Sequence, residues 1–138
     1  MATIFEKIIA REIPAHIVYE DEKTIAFLDI SQATKGHTLV VPKKAYPNIY
    51  EMDTNILKEV IAVTQKIAVA VKDAFHASGV NILSNNDEIA GQTVFHFHFH
   101  VIPRYAKDDV KFQFTNFMGS ISHEEYKERA HLIKAALS

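Results

Sequence analysis

Residues 95–102 alternate histidine with apolar residues and read Phe-His-Phe-His-Phe-His-Val-Ile. Successive side chains of a β-strand point to opposite faces of its sheet. A strand here therefore presents His96, His98 and His100 on one face, and it presents the phenylalanines and Val101 to a hydrophobic core on the other. Because histidine is not favoured in strands, three of them on one face predict a site where imidazole carries out chemistry.

Length and charge narrow the class of protein. The chain has 138 residues, which fits one domain over 1–138. Its 15 basic and 17 acidic residues give a net charge of -2, so nucleic acid is not an expected partner. Without cysteine it has neither disulfides nor thiolate metal sites.

The N-terminal residues are charged where a signal peptide is apolar, and no run approaches the ~20 apolar residues of a membrane span. We expect a cytoplasmic protein without membrane contact.

Hydrophobic periodicity predicts an α+β fold, with helices on one side of an antiparallel sheet. Residues 107–119 have no clear period, although their phenylalanines indicate that they pack on something. The predicted order is a short helix after a capping box at Thr3 and Glu6, strands at 17–20, 24–29 and 37–41, a helix from 53 to about 77, strands at 80–83 and 95–102, and a C-terminal helix after a capping box at Ser122 and Glu125.

Three histidines on a strand can bind metal or catalyse a reaction. At ~3.3 Å per residue, the backbones of His96 and His100 are about 13 Å apart, whereas the ligands of one zinc ion lie within roughly 4 Å of each other. Two of the three can share an ion with His37 or a carboxylate, so a metal hydrolase is one alternative. A neutral imidazole is also a competent nucleophile. His98, flanked on both sides, is then the natural attacking residue.

The motif His-φ-His-φ-His-φ-φ, with φ apolar, is the signature of the histidine triad (HIT) family, and residues 96–102 match it in full. Residues 4–9, 26–31, 36–43 and 91–94 also resemble this family. The resemblance covers a core of about 3–105 and leaves 106–138 as a C-terminal extension. It implies a HIT-like fold, in which a five-stranded antiparallel sheet is combined with a long helix and a short N-terminal helix, plus a C-terminal helix.

The resemblance implies a purine nucleotide hydrolase or transferase that acts at the α-phosphate without a cofactor, as a nucleoside phosphoramidase or a dinucleoside polyphosphate hydrolase. His98 matches the nucleophile that forms a covalent nucleotidyl-histidine, and His100 matches the residue that contacts the phosphate and helps protonate the leaving group. His96 and His37 match the histidines that orient this set. A nucleotide-binding regulatory module with little turnover would use the same pocket and is a second alternative.

The resemblance also implies a nucleotide pocket and a homodimer in which two five-stranded sheets pair. The residues implied for the pocket are Asp29 for the ribose hydroxyls, Asn85 and Thr93 on the phosphate side, Gln92 as a further nucleotide-binding residue, and Ile4, Phe5, Ile8, Phe27 and Ile30 around the base.

Several bacterial members carry a Cys-x-x-Cys pair near the N terminus that binds structural zinc. Thr3 and Glu6 take those two positions here, so no metal is expected. The capping box that these two residues form can stabilise the same turn.

Overall fold

The computed structural model describes residues 2–137. Five strands form one sheet with the order β1-β2-β3-β5-β4, and every neighbouring pair is antiparallel. The predicted α+β fold and its five-stranded antiparallel sheet are therefore confirmed. The elements are α1 (Ile4–Ile9), β1 (Ile17–Glu20), β2 (Thr24–Leu28), β3 (Thr38–Pro42), α2 (Thr54–Phe75), β4 (Gly79–Leu83), β5 (Phe99–Arg104) and α3 (His123–Leu137), with short 3-10 turns at Ile49–Glu51 and Glu88–Ala90.

Side-chain caps set the ends of the helices. The Thr3 hydroxyl accepts from the Glu6 amide at 3.2 Å, and the Glu6 carboxylate accepts from the Thr3 amide at 3.0 Å. This is the predicted capping box, which satisfies amides that the first turn leaves without a helical partner. Asp53 caps α2, and His76 ends this helix in the left-handed conformation with φ 54°.

The two faces of the sheet carry separate hydrophobic clusters. Ala26 of β2 and Val40 of β3 pack with α2, whereas their neighbours Phe27 and Leu39 pack with α1 through residues that include Phe5. Thus α1 and α2 lie on opposite faces, and the prediction that the helices cover one side is wrong. The two-residue period of side chains along a strand identifies the residues that share a face of the sheet, but it does not say which face a helix will cover.

The histidine strand, β5, begins at Phe99 and not at residue 95, where the sequence pattern predicts its start. Regular pairing begins at Phe99, and the preceding amide of Phe97 donates at 2.6 Å to the carbonyl of Tyr46, beyond the end of β3. Phe97, Phe99 and Val101 pack against the α2 cluster as predicted. Phe95 is 50% exposed and does not join it. The alternation of faces therefore extends beyond the strand but stops short of Phe95.

The C-terminal extension adds little to this core. The second capping box forms, with the Ser122 hydroxyl accepting from the Glu125 amide at 3.1 Å, but α3 contains no buried residue. Phe112 stacks on Phe114 at a centroid distance of 6.2 Å, and both rings are exposed, as is Phe117. Within residues 2–137, no helix is both long and apolar enough to cross a membrane.

Candidate active site

The side chains of one cluster come from the ends of β2 and β3 and from β5. Asp29 follows β2, His37 precedes β3 and His100 lies in β5. Because β3 pairs with β5, with Leu39 opposite His100, the antiparallel register brings these side chains together. The His98 ring lies beside the His100 ring at a centroid distance of 4.9 Å.

The backbone fixes the tautomer of His98. Its Nδ1 lies 2.7 Å from the carbonyl oxygen of His96, and a carbonyl oxygen only accepts hydrogen bonds. Nδ1 therefore carries the proton, and Nε2 keeps an unprotonated lone pair. The Phe5 ring packs perpendicular to this imidazole at a centroid distance of 4.9 Å and helps to hold its plane.

A second chain of hydrogen bonds fixes His37 and His100. The Ala33 amide donates to Nδ1 of His37 at 3.2 Å, so the His37 proton is on Nε2. Nε2 of His37 lies 3.0 Å from Nδ1 of His100 and donates to it. His100 must then carry its own proton on Nε2. Thus Nε2 of His98 is unprotonated, and it lies next to His100, whose Nε2 carries a proton.

His96 is set apart from this cluster. It is fully buried, and its Nε2 donates at 2.7 Å to the carbonyl of Pro42 at the end of β3. Its Nδ1 is buried and has no hydrogen-bond partner among the described residues. The side chain ties the segment before β5 to β3, and its backbone carbonyl holds His98. These contacts of His96 therefore fix the position of the His98 ring.

One oxygen of Asp29 remains available to a ligand. Oδ1 accepts from the Ser31 amide at 2.8 Å and from the Ser31 hydroxyl at 2.7 Å, whereas Oδ2 lies 3.6 Å from Nε2 of His37 and 4.0 Å from Nδ1 of His100. Burial raises the pKa of this carboxyl, but the Ser31 hydrogen bonds and the two histidines outweigh burial and leave the pKa below its ordinary value. Asp29 is therefore ionised at neutral pH.

Burial lowers the pKa of all four histidines of this region below the ordinary value. The effect is largest at His100, where burial and the neighbouring His98 and His37 bring the pKa from 6.5 to about 4. All four rings are neutral at pH 7, which is the form that a nucleophile and a neutral proton donor require.

The cluster of Asp29, His37 and His100 is also the candidate site for the metal hydrolase alternative. Asp29, His37 and His100 offer ligand atoms within 4.8 Å of one another. However, Nε2 of His37 carries the proton, and an ion bound there would require the proton to move to Nδ1 and displace the Ala33 amide. The hydrogen-bond pattern therefore fits proton transfer better than metal binding.

The loop before the histidines holds three residues expected to bind the nucleotide, Asn85 and Thr93 on the phosphate side and Gln92. Gln92 is buried, and its amide bonds the backbone of Asp87, Pro47 and Val94 at 2.6–3.0 Å, so this side chain shapes the loop. Asn85 points its amide to the Gly91 carbonyl at 3.4 Å. Thr93 is exposed.

The five residues expected around the base fall into two groups. Phe5, Ile8 and Phe27 are buried in the α1 cluster, and Phe5 alone of these three has a ring contact with His98. Ile4 is 50% exposed and Ile30 is 96% exposed. These two isoleucines supply exposed apolar surface, whereas Ile8 and Phe27 lie in the buried cluster with Phe5.

Sequence reasoning did not identify three residues of the β2 to β3 loop. Ser31 orients Asp29, the Ala33 amide sets the tautomer of His37, and Gln32 bonds the loop backbone. The Asp-x-Ser spacing is a turn signal that points to Ser31. A backbone amide and a glutamine in a loop carry no such signal.

A five-stranded antiparallel sheet that gathers imidazoles of fixed tautomer at β3 and β5 defines a class of site built for nucleophilic and acid–base chemistry. The HIT domain model matches residues 10–107, and the chain belongs to the HIT family. The crystal structure of a HIT family member from Bacillus subtilis has a TM-score of 0.95 and 45% identity, covering 100% of this chain and 99% of that one.

Two further relatives carry descriptive names. A hypothetical histidine triad nucleotide-binding protein from Sulfolobus tokodaii has a TM-score of 0.73 and 38% identity, covering 95% of this chain and 89% of that one. Adenylylsulfatase HINT3 of Arabidopsis thaliana is 35% identical over 105 residues, which cover 76% of this chain and 53% of that protein.

Proposed function

We propose that this protein is a purine nucleotide hydrolase or transferase that forms a covalent nucleotidyl-histidine at the α-phosphate, as a nucleoside phosphoramidase or a dinucleoside polyphosphate hydrolase. The observation that carries the proposal is the hydrogen bond from Nδ1 of His98 to the His96 carbonyl at 2.7 Å. This bond leaves Nε2 of a neutral imidazole as a nucleophile of fixed orientation.

In the first step, the lone pair of His98 Nε2 attacks the α-phosphorus. A phosphorus–nitrogen bond forms while the bond from phosphorus to the leaving group breaks. The leaving group takes the bonding electrons and the proton from Nε2 of His100. The Nε2 proton of His37 can then move to Nδ1 of His100 along their 3.0 Å hydrogen bond, which leaves the negative charge on the His37 ring, where the Ala33 amide donates to it. The positive charge on the nucleotidyl imidazole is stabilised by the His96 carbonyl.

In the second step, water attacks the α-phosphorus and the phosphorus–nitrogen bond breaks. Nε2 of His100, unprotonated after the first step, takes a proton from the water, as microscopic reversibility requires of the earlier acid. The proton on Nδ1 of His100 then returns to Nε2 of His37, and both rings are neutral again. His98 leaves as a neutral imidazole because Nδ1 has kept its proton throughout. Water gives the hydrolase, and an acceptor alcohol or amine in its place gives the transferase.

The nucleotide is expected to bind across the end of β2 and the loop before β5. Oδ2 of Asp29 faces the histidine cluster and suits a pair of ribose hydroxyls, as carboxylates do in dinucleotide sites. Asn85 and Thr93 are assigned to the phosphate side and Gln92 to the shape of that loop. The base is assigned to the apolar surface near Phe5. Relatives named as a nucleotide-binding protein and an adenylylsulfatase support this substrate class.

The same proposal includes a homodimer in the cytoplasm. β4 lies at the edge of the sheet, and the C-terminal extension exposes large apolar side chains, including Phe114 at 86% and Leu137 at 80%. A second copy that pairs at this edge would cover such surface. Light scattering at several protein concentrations tests the dimer, and a monomeric mass throughout would contradict it.

The nucleophile is tested by trapping the intermediate. Adenosine 5′-phosphoramidate and diadenosine polyphosphate labelled at the α-phosphate are each mixed with the protein, which is then denatured in alkali, where phosphohistidine survives. We expect label on the wild type, loss of label with at least ~10³-fold lower turnover in His98→Ala, and no change in the matched control His131→Ala on exposed α3. Undiminished activity of His98→Ala on both substrates would refute the assignment, and nucleotide binding without label or turnover would favour a binding module.

A further inference from the structure

The side chain of Gln32 forms three hydrogen bonds inside the β2 to β3 loop. Its Nε2 lies 2.6 Å from the carbonyl of Asp29 and 2.7 Å from the carbonyl of His37, and its Oε1 accepts from the Gly36 amide at 2.9 Å. The two carbonyls belong to the residues whose side chains face His100. One amide group therefore bonds the backbone at both ends of the loop.

Gln32 also takes an unusual backbone conformation. Its φ is 43°, in the left-handed region that is unfavourable for residues with a Cβ. This turn directs the next amide, that of Ala33, to Nδ1 of His37 at 3.2 Å. The loop is also held against β5 and the residue that follows it, because the Thr34 hydroxyl bonds the Pro103 carbonyl at 2.6 Å and the Tyr105 hydroxyl bonds the Lys35 carbonyl at 2.6 Å. The Thr34 and Tyr105 bonds therefore attach the loop to β5 and Tyr105, whereas the three Gln32 bonds connect Asp29, Gly36 and His37 within the loop.

We infer that Gln32 is a positioning residue, which holds the Ala33 amide on His37 and so keeps the His100 proton on Nε2, aimed at the leaving group. This inference rests on the proposed function, since it concerns the acid of that reaction. Without the Gln32 bonds, the Ala33 amide is free to move away from His37. His37 and His100 can then exchange tautomers, and His100 presents a bare Nε2 part of the time.

The tautomers are measured without substrate by ring nitrogen NMR, in which protonated and bare ring nitrogens have distinct shifts. Gln32→Gly removes the side chain and tolerates a φ of 43°, so it separates the lost bonds from backbone strain. Gln32→Glu keeps the size and the acceptor but removes both donors. Gln65→Ala, at an exposed glutamine on α2, is the matched control. We expect Nε2-protonated His37 and His100 in the wild type and the control, and mixed tautomers in both Gln32 variants.

The consequence for the reaction depends on the leaving group. Adenosine 5′-phosphoramidate needs protonation of its amine, whereas the p-nitrophenyl ester of AMP releases a stable anion. A misplaced acid should lower kcat for the phosphoramidate at least ~10-fold and change kcat for the ester less than ~2-fold. A structural role alone would lower both rates together.

Several outcomes overturn the inference. Unchanged tautomers in both Gln32 variants would do so, and so would an equal loss on the two substrates. Should Gln32→Gly fail to fold, Gln32→Glu carries the same test. If the Gln32 variants show the expected tautomer changes but the wild type cleaves neither substrate, the proposed function is refuted. The positioning of His37 and His100 by Gln32 would then still be supported by the NMR result.

Discussion

His37 and His100 are joined by a hydrogen bond of 3.0 Å between Nε2 and Nδ1. One residue precedes β3 and the other lies in β5, so the pairing of these two strands sets the geometry of a proton path. The direction of this path is fixed at its far end by the Ala33 amide, which donates to His37. Strand register and one loop amide together decide which nitrogen of His100 carries its proton.

Replacing Asp29 should weaken binding of the ribose. In Asp29→Asn the charged acceptor is lost, and hydrogen bonds to a charged group contribute about 1.5–3 kcal/mol. We therefore expect the Kd for AMP to rise at least ~10-fold by calorimetry. The Kd for 2′,3′-dideoxy AMP, which lacks both hydroxyls, should change little in this variant. Asp108→Asn, at an exposed position, is the control, and equal losses for both nucleotides in Asp29→Asn would show that Asp29 does not bind the ribose.

The capping box at α1 should contribute to global stability. Thr3→Ala removes the hydroxyl that accepts from the Glu6 amide, and loss of such a cap costs about 1 kcal/mol of the free energy of unfolding. The equivalent change Ser122→Ala affects α3, which has no buried residue, so less than ~0.5 kcal/mol is expected. Urea denaturation measures both values. Equal effects would mean that α1 is not coupled to the core through its cap.

Much of the fold was predictable because hydrophobic periodicity reports local structure. The spacing of apolar residues gave α2 nearly to the residue, since Asp53 caps it and His76 ends it. The same kind of pattern placed the histidines on one face but set the start of their strand too early. Strand boundaries depend on backbone pairing with Tyr46 and β3, which the alternation of side chains does not encode.

The candidate site was predictable to a lesser extent. His37, His98, His100 and Asp29 come together as the resemblance implied, but the parts that fix their protons were not foreseen. These parts are a carbonyl and an amide of the backbone, which every residue possesses. Gln32 bonds only the backbone of its own loop, so nothing in the sequence pattern distinguishes it from a solvent-facing glutamine.

The ring of Phe5 should be important for stability as well as for the site. It is 5% exposed and packs edge-on against Phe27 at 5.5 Å and His98 at 4.9 Å. Phe5→Ala should lower the free energy of unfolding by about 3 kcal/mol or more, the usual cost of removing a buried ring. Phe114→Ala, at a ring that is 86% exposed, should change it by less than ~0.5 kcal/mol in the monomer. Similar values for the two would contradict the burial of Phe5.

Stability should fall as the solution becomes acidic. Burial lowers the pKa of His37, His96, His98 and His100 in the folded chain, so below pH ~6.5 the unfolded chain binds protons first. The contribution of these groups is therefore complete above pH ~6.5 and is lost as the pH falls toward the folded pKa, which is about 4 for His100. Each proton taken up only by the unfolded chain steepens the loss by about 1.4 kcal/mol per pH unit.

Urea denaturation between pH 7.5 and 4.5 measures this dependence. His100→Gln should flatten the curve by about one proton over the window from pH ~6.5 to ~4.5. His131→Ala, on the exposed surface of α3, should leave the slope of the wild type unchanged. A wild-type stability that stays constant down to pH 5 would mean that the folded chain protonates these histidines as readily as the unfolded chain does, and the neutral imidazoles required of His98 and His100 would then be absent at mildly acidic pH.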